Sequence, residues 1–252
     1  MVSILDDVLR VFVGFDPREA VAYHVFTQSV LEHASQPVSF TPLTTKALGN
    51  FQRDGTNAFT FSRYLVPYLS DFSGWAIFCD GDMVVTRDIA ELWEERSHFS
   101  FNKAVALVKH DYRTKHPKKY IGSNMESANF DYPRKNWSSV MLWNCGHAAN
   151  RVLTHEYIRD KPGDFLHRFG WLKDEQIGDL WGGWNYLVGE QPPSSSSLYH
   201  YTLGVPGFKH YVDDHASWHW HTTLVKALKC GNEIPSAMVE RAEERVGTDM
   251  KP

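Results

Sequence analysis

At 252 residues the chain can bury a full-sized core as one large α/β domain. Its formal net charge of -4 leaves no basic excess to neutralise a phosphate backbone, which argues against nucleic acid as a partner; any phosphate it binds must be met by a metal or a few placed cations. Three widely separated cysteines, Cys79, Cys145 and Cys230, exclude a disulfide framework and a zinc cluster and fit a reducing, cytoplasmic setting.

In chain order, Arg10-Val11-Phe12-Val13-Gly14-Phe15-Asp16 reads as a buried first strand stopped by Pro17. Residues 18–34 place Ala20, Val21, Val25, Val30 and Leu31 at near-helical spacing, with Pro17 at a helix start, where its missing N–H costs little. Val38–Leu43 is a short second strand, 49–55 a loop, and 58–69 a helical pattern with Pro67 near its end. Gly74 resets the chain before a third strand, Trp75–Cys79.

That strand runs into Asp80-Gly81-Asp82 and then Met83-Val84-Val85. Asp and Gly both suit turns, so the tripeptide alone is an ordinary turn sequence. Apolar segments on both sides favour a strand end, and two carboxylates there suit Mg²⁺ or Mn²⁺, which prefer oxygen ligands and leave positions open to phosphate. Strand and helix alternating in this order predict a mostly parallel central sheet flanked by helices, a Rossmann-like α/β fold. In such sheets the ligand crevice lies outside the carboxyl ends of the strands, so Asp16 and Asp80 share one crevice.

Past the motif, Asp88 starts a short helix and Ala104-Val105-Ala106-Leu107-Val108 is a buried strand. Residues 109–136 are polar, carry Lys115, Lys118, Lys119, Arg134 and Lys135, and are long for a connection without function. Residues 137–143 read as a strand ended by Cys145-Gly146, and 147–168 as helices interrupted at Pro162-Gly163. Lys173-Asp174-Glu175-Gln176 precedes an expected short helix, and Trp184-Asn185-Tyr186-Leu187-Val188 an expected strand. The serine run 194–197 is a surface loop, and 216–228 with 235–246 predict a helical C-terminal cap. The whole reads as a single domain, 1–252, with a nucleotide-binding half (1–110), an acceptor and metal-completing half (111–215) and a helical tail (216–252).

Asp6 and Asp7 stand where a signal peptide carries positive charge, and no apolar run approaches the roughly 18 residues of a membrane span. No transmembrane segment is therefore expected, while surface attachment to a membrane stays open. Aromatic content is 14%, with nine tryptophans; flat faces beside polar groups suit sugar rings, and they equally suit core packing. A late cluster, His210, His215, His219 and His221 with Asp213 and Asp214, reads either as a second metal site or as an aromatic and polar rim.

Several separated segments together resemble the nucleotide-sugar glycosyltransferases of the GT-A fold, in the motif order of glycosyltransferase family 8, the glycogenin and lipopolysaccharide galactosyltransferase group. They are Phe61-Ser62-Arg63-Tyr64-Leu65-Val66-Pro67-Tyr68-Leu69, the strand through Asp80-Gly81-Asp82, Asn136-Trp137-Ser138-Ser139-Val140-Met141-Leu142-Trp143-Asn144, Lys173-Asp174-Glu175-Gln176, and His200-Tyr201-Thr202-Leu203-Gly204. The resemblance spans about residues 10–210. It implies transfer of a sugar from a nucleoside diphosphate sugar, with UDP the expected nucleotide, to a glycan or other hydroxyl acceptor with retained configuration.

It also implies a role for each matching residue. Asp80, Asp82 and His200 become metal ligands; Arg63 reaches the donor sugar or pyrophosphate; Asp174 and Gln176 lie near the anomeric carbon. Asp16, Phe15 and Tyr23 meet the base, and Gly81, Ser138, Ser139, Gly204 and Lys209 complete the donor site. Two departures stand out. Lys209 follows His200 by nine residues, later than in the family, and Trp137-Ser138-Ser139 replaces a pair of small residues beside the donor sugar. Two other readings compete: a haloacid dehalogenase-like phosphotransferase, whose Asp-x-Asp motif lies on the first strand, and a non-catalytic carbohydrate-binding module.

Overall fold

The computed structural model describes residues 8–44, 48 and 55–229. Its strands are β1 (Leu9–Gly14), β2 (Val38–Leu43), β3 (Trp75–Cys79), β4 (Met83–Val85), β5 (Val105–Leu107), β6 (Lys118–Lys119), β7 (Ser127–Ala128), β8 (Val140–Asn144), β9 (Ile177–Asp179), β10 (Tyr186–Leu187) and β11 (Leu198–His200). The α-helices are α1 (Ala20–His33), α2 (Val66–Leu69), α3 (Ile89–Glu94), α4 (His155–Asp160), α5 (Gly163–His167) and α6 (Ser217–Ala227).

Six strands form the main sheet in the order β2-β1-β3-β8-β5-β9. β1 pairs in parallel with both β2 and β3, and β5 with β9, whereas β8 runs antiparallel between β3 and β5. The sheet is buried on both faces, which is why its central strands read as continuous apolar runs. Along β1 and β3, Phe12, Ala76 and Phe78 enter one core cluster while Val11, Val13, Ile77 and Cys79 enter the other, as the period-2 alternation of a strand requires. This is the α/β fold with a mostly parallel sheet that the alternation of elements predicts.

β4 leaves the main sheet and joins a second one, ordered β10-β11-β4, in which His200 pairs with Met83. The three residues 80–82 are therefore the bridge between the two sheets. Val13 pairs with Cys79, so the bridge passes the carboxyl end of β1. There a Cβ on Gly81 would stand 2.4 Å from the Gly14 carbonyl oxygen, and only a glycine permits that approach.

Several local expectations change. Residues 58–69 do not form one helix: a 3-10 turn, Ser62–Leu65, leads into the single turn of α2, because Pro67 cannot donate an interior helix bond. The residues after Lys173 form a 3-10 turn and then β9 rather than a helix, since Ile177 and Gly178 complete the sheet edge beside β5. Residue 184 closes a 3-10 turn, and the strand there shortens to β10. The polar stretch 109–136 contains the β6–β7 hairpin. The expected tail helix appears as α6; the loop residues 49–54, Cys230 and the second tail helix, 235–246, lie outside the described residues. No helix among the described residues is long and apolar enough to cross a membrane.

Candidate active site

Asp80 is the first residue beyond β3. Its N–H donates to the Ser139 carbonyl (2.9 Å), extending the β3–β8 ladder by one bond and fixing the carboxylate at the sheet's edge. Asp82 is held at its carbonyl, which accepts from the N–H of Tyr201 (2.9 Å). Both side chains are buried, and one oxygen of Asp82, Oδ1, has no hydrogen-bond partner. Burial pushes the Asp80 carboxyl up to about 6; the Arg63 charge opposes this and the Asp82 charge adds to it.

His200 approaches from β11, its Nε2 3.4 Å from Asp82 Oδ1 and 3.9 Å from Asp80 Oδ2. Its other nitrogen, Nδ1, is 2.9 Å from Oδ1 of Asn185, and the Asn185 amide donates to the Asn136 carbonyl (3.2 Å). With its NH₂ so engaged, Asn185 turns its oxygen to His200. Nδ1 must then carry a hydrogen, which turns Nε2 toward the two carboxylates.

Three buried groups thus bring their possible ligand atoms within 4.8 Å of one another. Such an arrangement is repulsive without a cation at its centre. Two carboxylate oxygens and one imidazole nitrogen suit Mn²⁺ or Mg²⁺, and the unpartnered Asp82 oxygen fits that use. The three residues can hold a divalent metal.

Arg63, from the 3-10 turn, reaches across to the same place. Its guanidinium lies 3.0 Å from Asp80 Oδ1, donates to the Ser138 carbonyl (2.9 Å), and packs over the rings of Phe59 and Phe78. Ser138 Oγ in turn meets Nδ1 of His167 (3.3 Å).

Arg63, Asp80, Asp82, Ser138, Ser139 and His200 all line one cavity of about 400 Å³. Its opposite wall comes from the polar stretch 109–136, through Lys119, Tyr120, Asn129, Phe130, Tyr132 and Lys135. The long connection therefore lines the pocket.

The other expected site residues lie off this lining. Asp16 spends its carboxylate on the N–H groups of Arg18 and Ala58 and on the Arg18 guanidinium. Burial works against ionisation there, but those bonds win and hold Asp16 below the usual carboxylate range. Phe15 and Tyr23 form an edge-to-face pair 5.7 Å apart. Gly81 is the close-approach residue of the bridge. Gly204 packs against Tyr211, and Lys209 is exposed. Asp174 is exposed and paired with Arg134, and Gln176 Oε1 accepts from the Lys173 N–H (2.9 Å), capping its turn.

The late histidines do not converge. His215 meets the Tyr186 hydroxyl (2.8 Å), His221 the Val212 carbonyl (2.9 Å), and His219 stacks on Trp218. Burial pushes His219 down to about 4. They form the aromatic and polar packing that was the alternative to a metal site.

Sequence reasoning missed Asn185 and Glu19. Glu19 is buried with an unpartnered oxygen, and burial, with the charges of Asp82 and Asp16, pushes its carboxyl well above the usual range. A carboxylate in the first turn of a helix is ordinary, so nothing local marks it.

The fold is that of the GT-A-type glycosyltransferases. The bifunctional glycosyltransferase WbbM superposes with a TM-score of 0.61 at 13% identity, over 97% of this chain and 53% of that one. The glycosyltransferase GlyE of Streptococcus pneumoniae TIGR4 gives 0.54 at 15% identity, over 96% and 64%. Mouse xyloside xylosyltransferase 1 gives 0.51 at 16% identity, over 79% and 100%. The chain thus spans about half of WbbM and under two thirds of GlyE. No protein-family model matches the chain. Protein CDI of Arabidopsis thaliana is 40% identical over 217 residues, 81% of this chain and 81% of that protein. At that identity and coverage, the chain belongs to the family of Protein CDI.

Proposed function

We propose that this protein is a metal-dependent glycosyltransferase of the family 8 type, moving a sugar from a nucleoside diphosphate sugar to a hydroxyl acceptor with retention. The observation that carries this reading is the buried triad Asp80, Asp82 and His200, opening into a cavity at the carboxyl ends of the strands in a GT-A fold. UDP is the first nucleotide to test, on the motif resemblance. The donor half supplies Arg63, Asp80 and Asp82; residues 111–215 supply Ser138, Ser139 and His200. Both described cysteines are free and buried, which supports a reducing compartment.

Asp80, Asp82 and His200 would hold Mn²⁺ or Mg²⁺, which, when bound, would stabilise the negative charge that grows on the leaving diphosphate. The chain's own residues prepare that step. Asn185 keeps His200 Nδ1 protonated and its Nε2 free. Arg63 prevents Asp80 from turning away, and Ser138 and Ser139 border the donor sugar. The acceptor hydroxyl bonds to the anomeric carbon as the bond to the diphosphate breaks, and its proton leaves on the diphosphate oxygen, the front-face course that retains configuration. Asp174 and Gln176 lie off the cavity lining, so a role for them requires an acceptor long enough to pass the rim.

A thermal-shift screen of UDP, GDP, ADP and CDP, each with and without Mn²⁺, tests the reading. The expected result is stabilisation by one diphosphate only when Mn²⁺ is present. Stabilisation by glycans alone, an aspartyl-phosphate trapped with a fluoride analogue, or no metal-dependent shift with any diphosphate overturns it.

A further inference from the structure

The cavity carries more positive charge than the metal triad uses. Three of its lysines and arginines are not solvent-exposed: Arg63, Lys119 and Lys135. Arg63 is committed to Asp80 and to the Ser138 carbonyl. The Lys135 ammonium donates to Asn129 Oδ1 (2.7 Å) and to the Phe130 carbonyl (2.9 Å), fastening its own loop. Lys119 differs, for it makes no ion pair and no side-chain hydrogen bond with a described residue. Its Nζ stands 5.1 Å from the centre of the Tyr120 ring. A half-buried ammonium left without a polar partner gives up hydration for nothing. Burial lowers its proton affinity, and the charges of Asp82 and Asp80 act in the opposite direction.

Lys119 is also firmly placed. Its strand, β6, pairs with β7. The next N–H, of Tyr120, donates to the Leu203 carbonyl (2.6 Å), and that of Ile121 to the Tyr211 hydroxyl (3.0 Å). The Tyr120 backbone is left-handed, with φ at 56°, a conformation that persists only when its surroundings hold it. The hairpin is thereby tied to the segment that follows His200. Lys209, the lysine that the family resemblance places in the donor site, is exposed beyond that segment and off the cavity lining.

We propose that Lys119, rather than Lys209, is the cation that binds the diphosphate of the donor. The inference rests on the proposed donor site. A diphosphate beside Asp80 and Asp82 would give the Lys119 ammonium the hydrogen-bonding anion that no described residue supplies, and a lysine serves there as a compact point charge.

The test is calorimetry on the whole chain with Mn²⁺ alone, then with UDP and with GDP in saturating Mn²⁺. Lys119→Ala should bind the diphosphate about 10- to 100-fold more weakly than wild type, as expected for a lost charged hydrogen bond. Its affinity for Mn²⁺ alone should be unchanged or tighter, which also shows that the site is folded. Lys119→Arg should recover most of the loss. Lys118→Ala, which removes an exposed neighbour paired with Glu126, should bind like wild type. Diphosphate binding unchanged in Lys119→Ala, a loss found in Lys209→Ala instead, or an equal loss of Mn²⁺ alone in Lys119→Ala overturns the proposal. Wild-type protein that binds neither diphosphate in Mn²⁺ overturns the donor site itself, and Lys119 with it.

Discussion

Nδ1 of His200 lies 2.9 Å from Oδ1 of Asn185, and this contact decides which nitrogen of the imidazole faces the two aspartates. Asn185 touches neither carboxylate yet sets the ring's tautomer. Partners of this kind affect metal affinity by about 10- to 100-fold. We therefore predict that Asn185→Ala weakens Mn²⁺ binding by that order while leaving all three ligands in place. Manganese titration followed by calorimetry checks it, and wild-type affinity in the variant would remove Asn185 from the site.

Replacing both Asp80 and Asp82 by Asn should abolish Mn²⁺-dependent diphosphate binding. The fold should persist, because two buried like charges are removed and the amides keep the shape. Thermal melts without metal should keep a single cooperative transition, lowered by the loss of the buried Arg63–Asp80 pair, while calorimetry with Mn²⁺ and UDP or GDP shows no heat. Retained metal-dependent binding would contradict the ligand assignment.

Arg63 is buried between Asp80, the Ser138 carbonyl and two aromatic rings. Removing one partner of a buried ion pair leaves the other charge uncompensated, at about 3–5 kcal/mol. Arg63→Ala should lower unfolding stability by that order in urea. Arg63→Lys should recover only part of it, since an ammonium lacks the planar fork that serves Asp80 and Ser138 together. A variant as stable as wild type would show the pair to be dispensable.

Asp80 gives the metal-free protein a pH dependence of definite sign. Its carboxyl is raised from 3.8 to about 6, chiefly by burial, so the folded chain holds a proton that the unfolded chain releases. The stability this contributes is full below the unfolded value and is lost as pH rises through about 6. Melting temperatures of wild type minus those of Asp80→Asn should therefore fall between pH 4 and pH 7, within a window of about two units. Mn²⁺ affinity should rise over the same range, because binding must displace that proton. A flat difference curve would refute the raised carboxyl.

A Cβ at residue 81 would stand 2.4 Å from the Gly14 carbonyl oxygen. Gly81→Ala must push β1 and the bridge apart, and overpacking of this kind typically costs about 1–3 kcal/mol. The displaced Asp82 should also bind Mn²⁺ more weakly. Equal stability and equal metal affinity would mean that the close approach is not required.

Much of this was legible in the chain alone. β3 has the bounds that its apolar run predicts, because a strand buried on both faces is hydrophobic throughout and stops where polar or turn residues begin. The place of the aspartate pair was legible for the same reason: two aspartates directly after such a strand must emerge at its carboxyl end. His200, Arg63, Ser138 and Ser139 were assigned from motif order, and the structure brings all four to the same cavity as the aspartates.

Tertiary structure alone decided the rest. The reversal of β8 left no mark, because a buried strand has the same composition in either direction. Nothing local separates Lys119 from Lys118, or Asn185 from any turn asparagine. Lys119 gains its meaning from a backbone bond between Tyr120 and Leu203, and Asn185 from the ring it faces. Contacts between residues so far apart along the chain depend on how the two sheets and the hairpin pack, and no local pattern of residues encodes that packing.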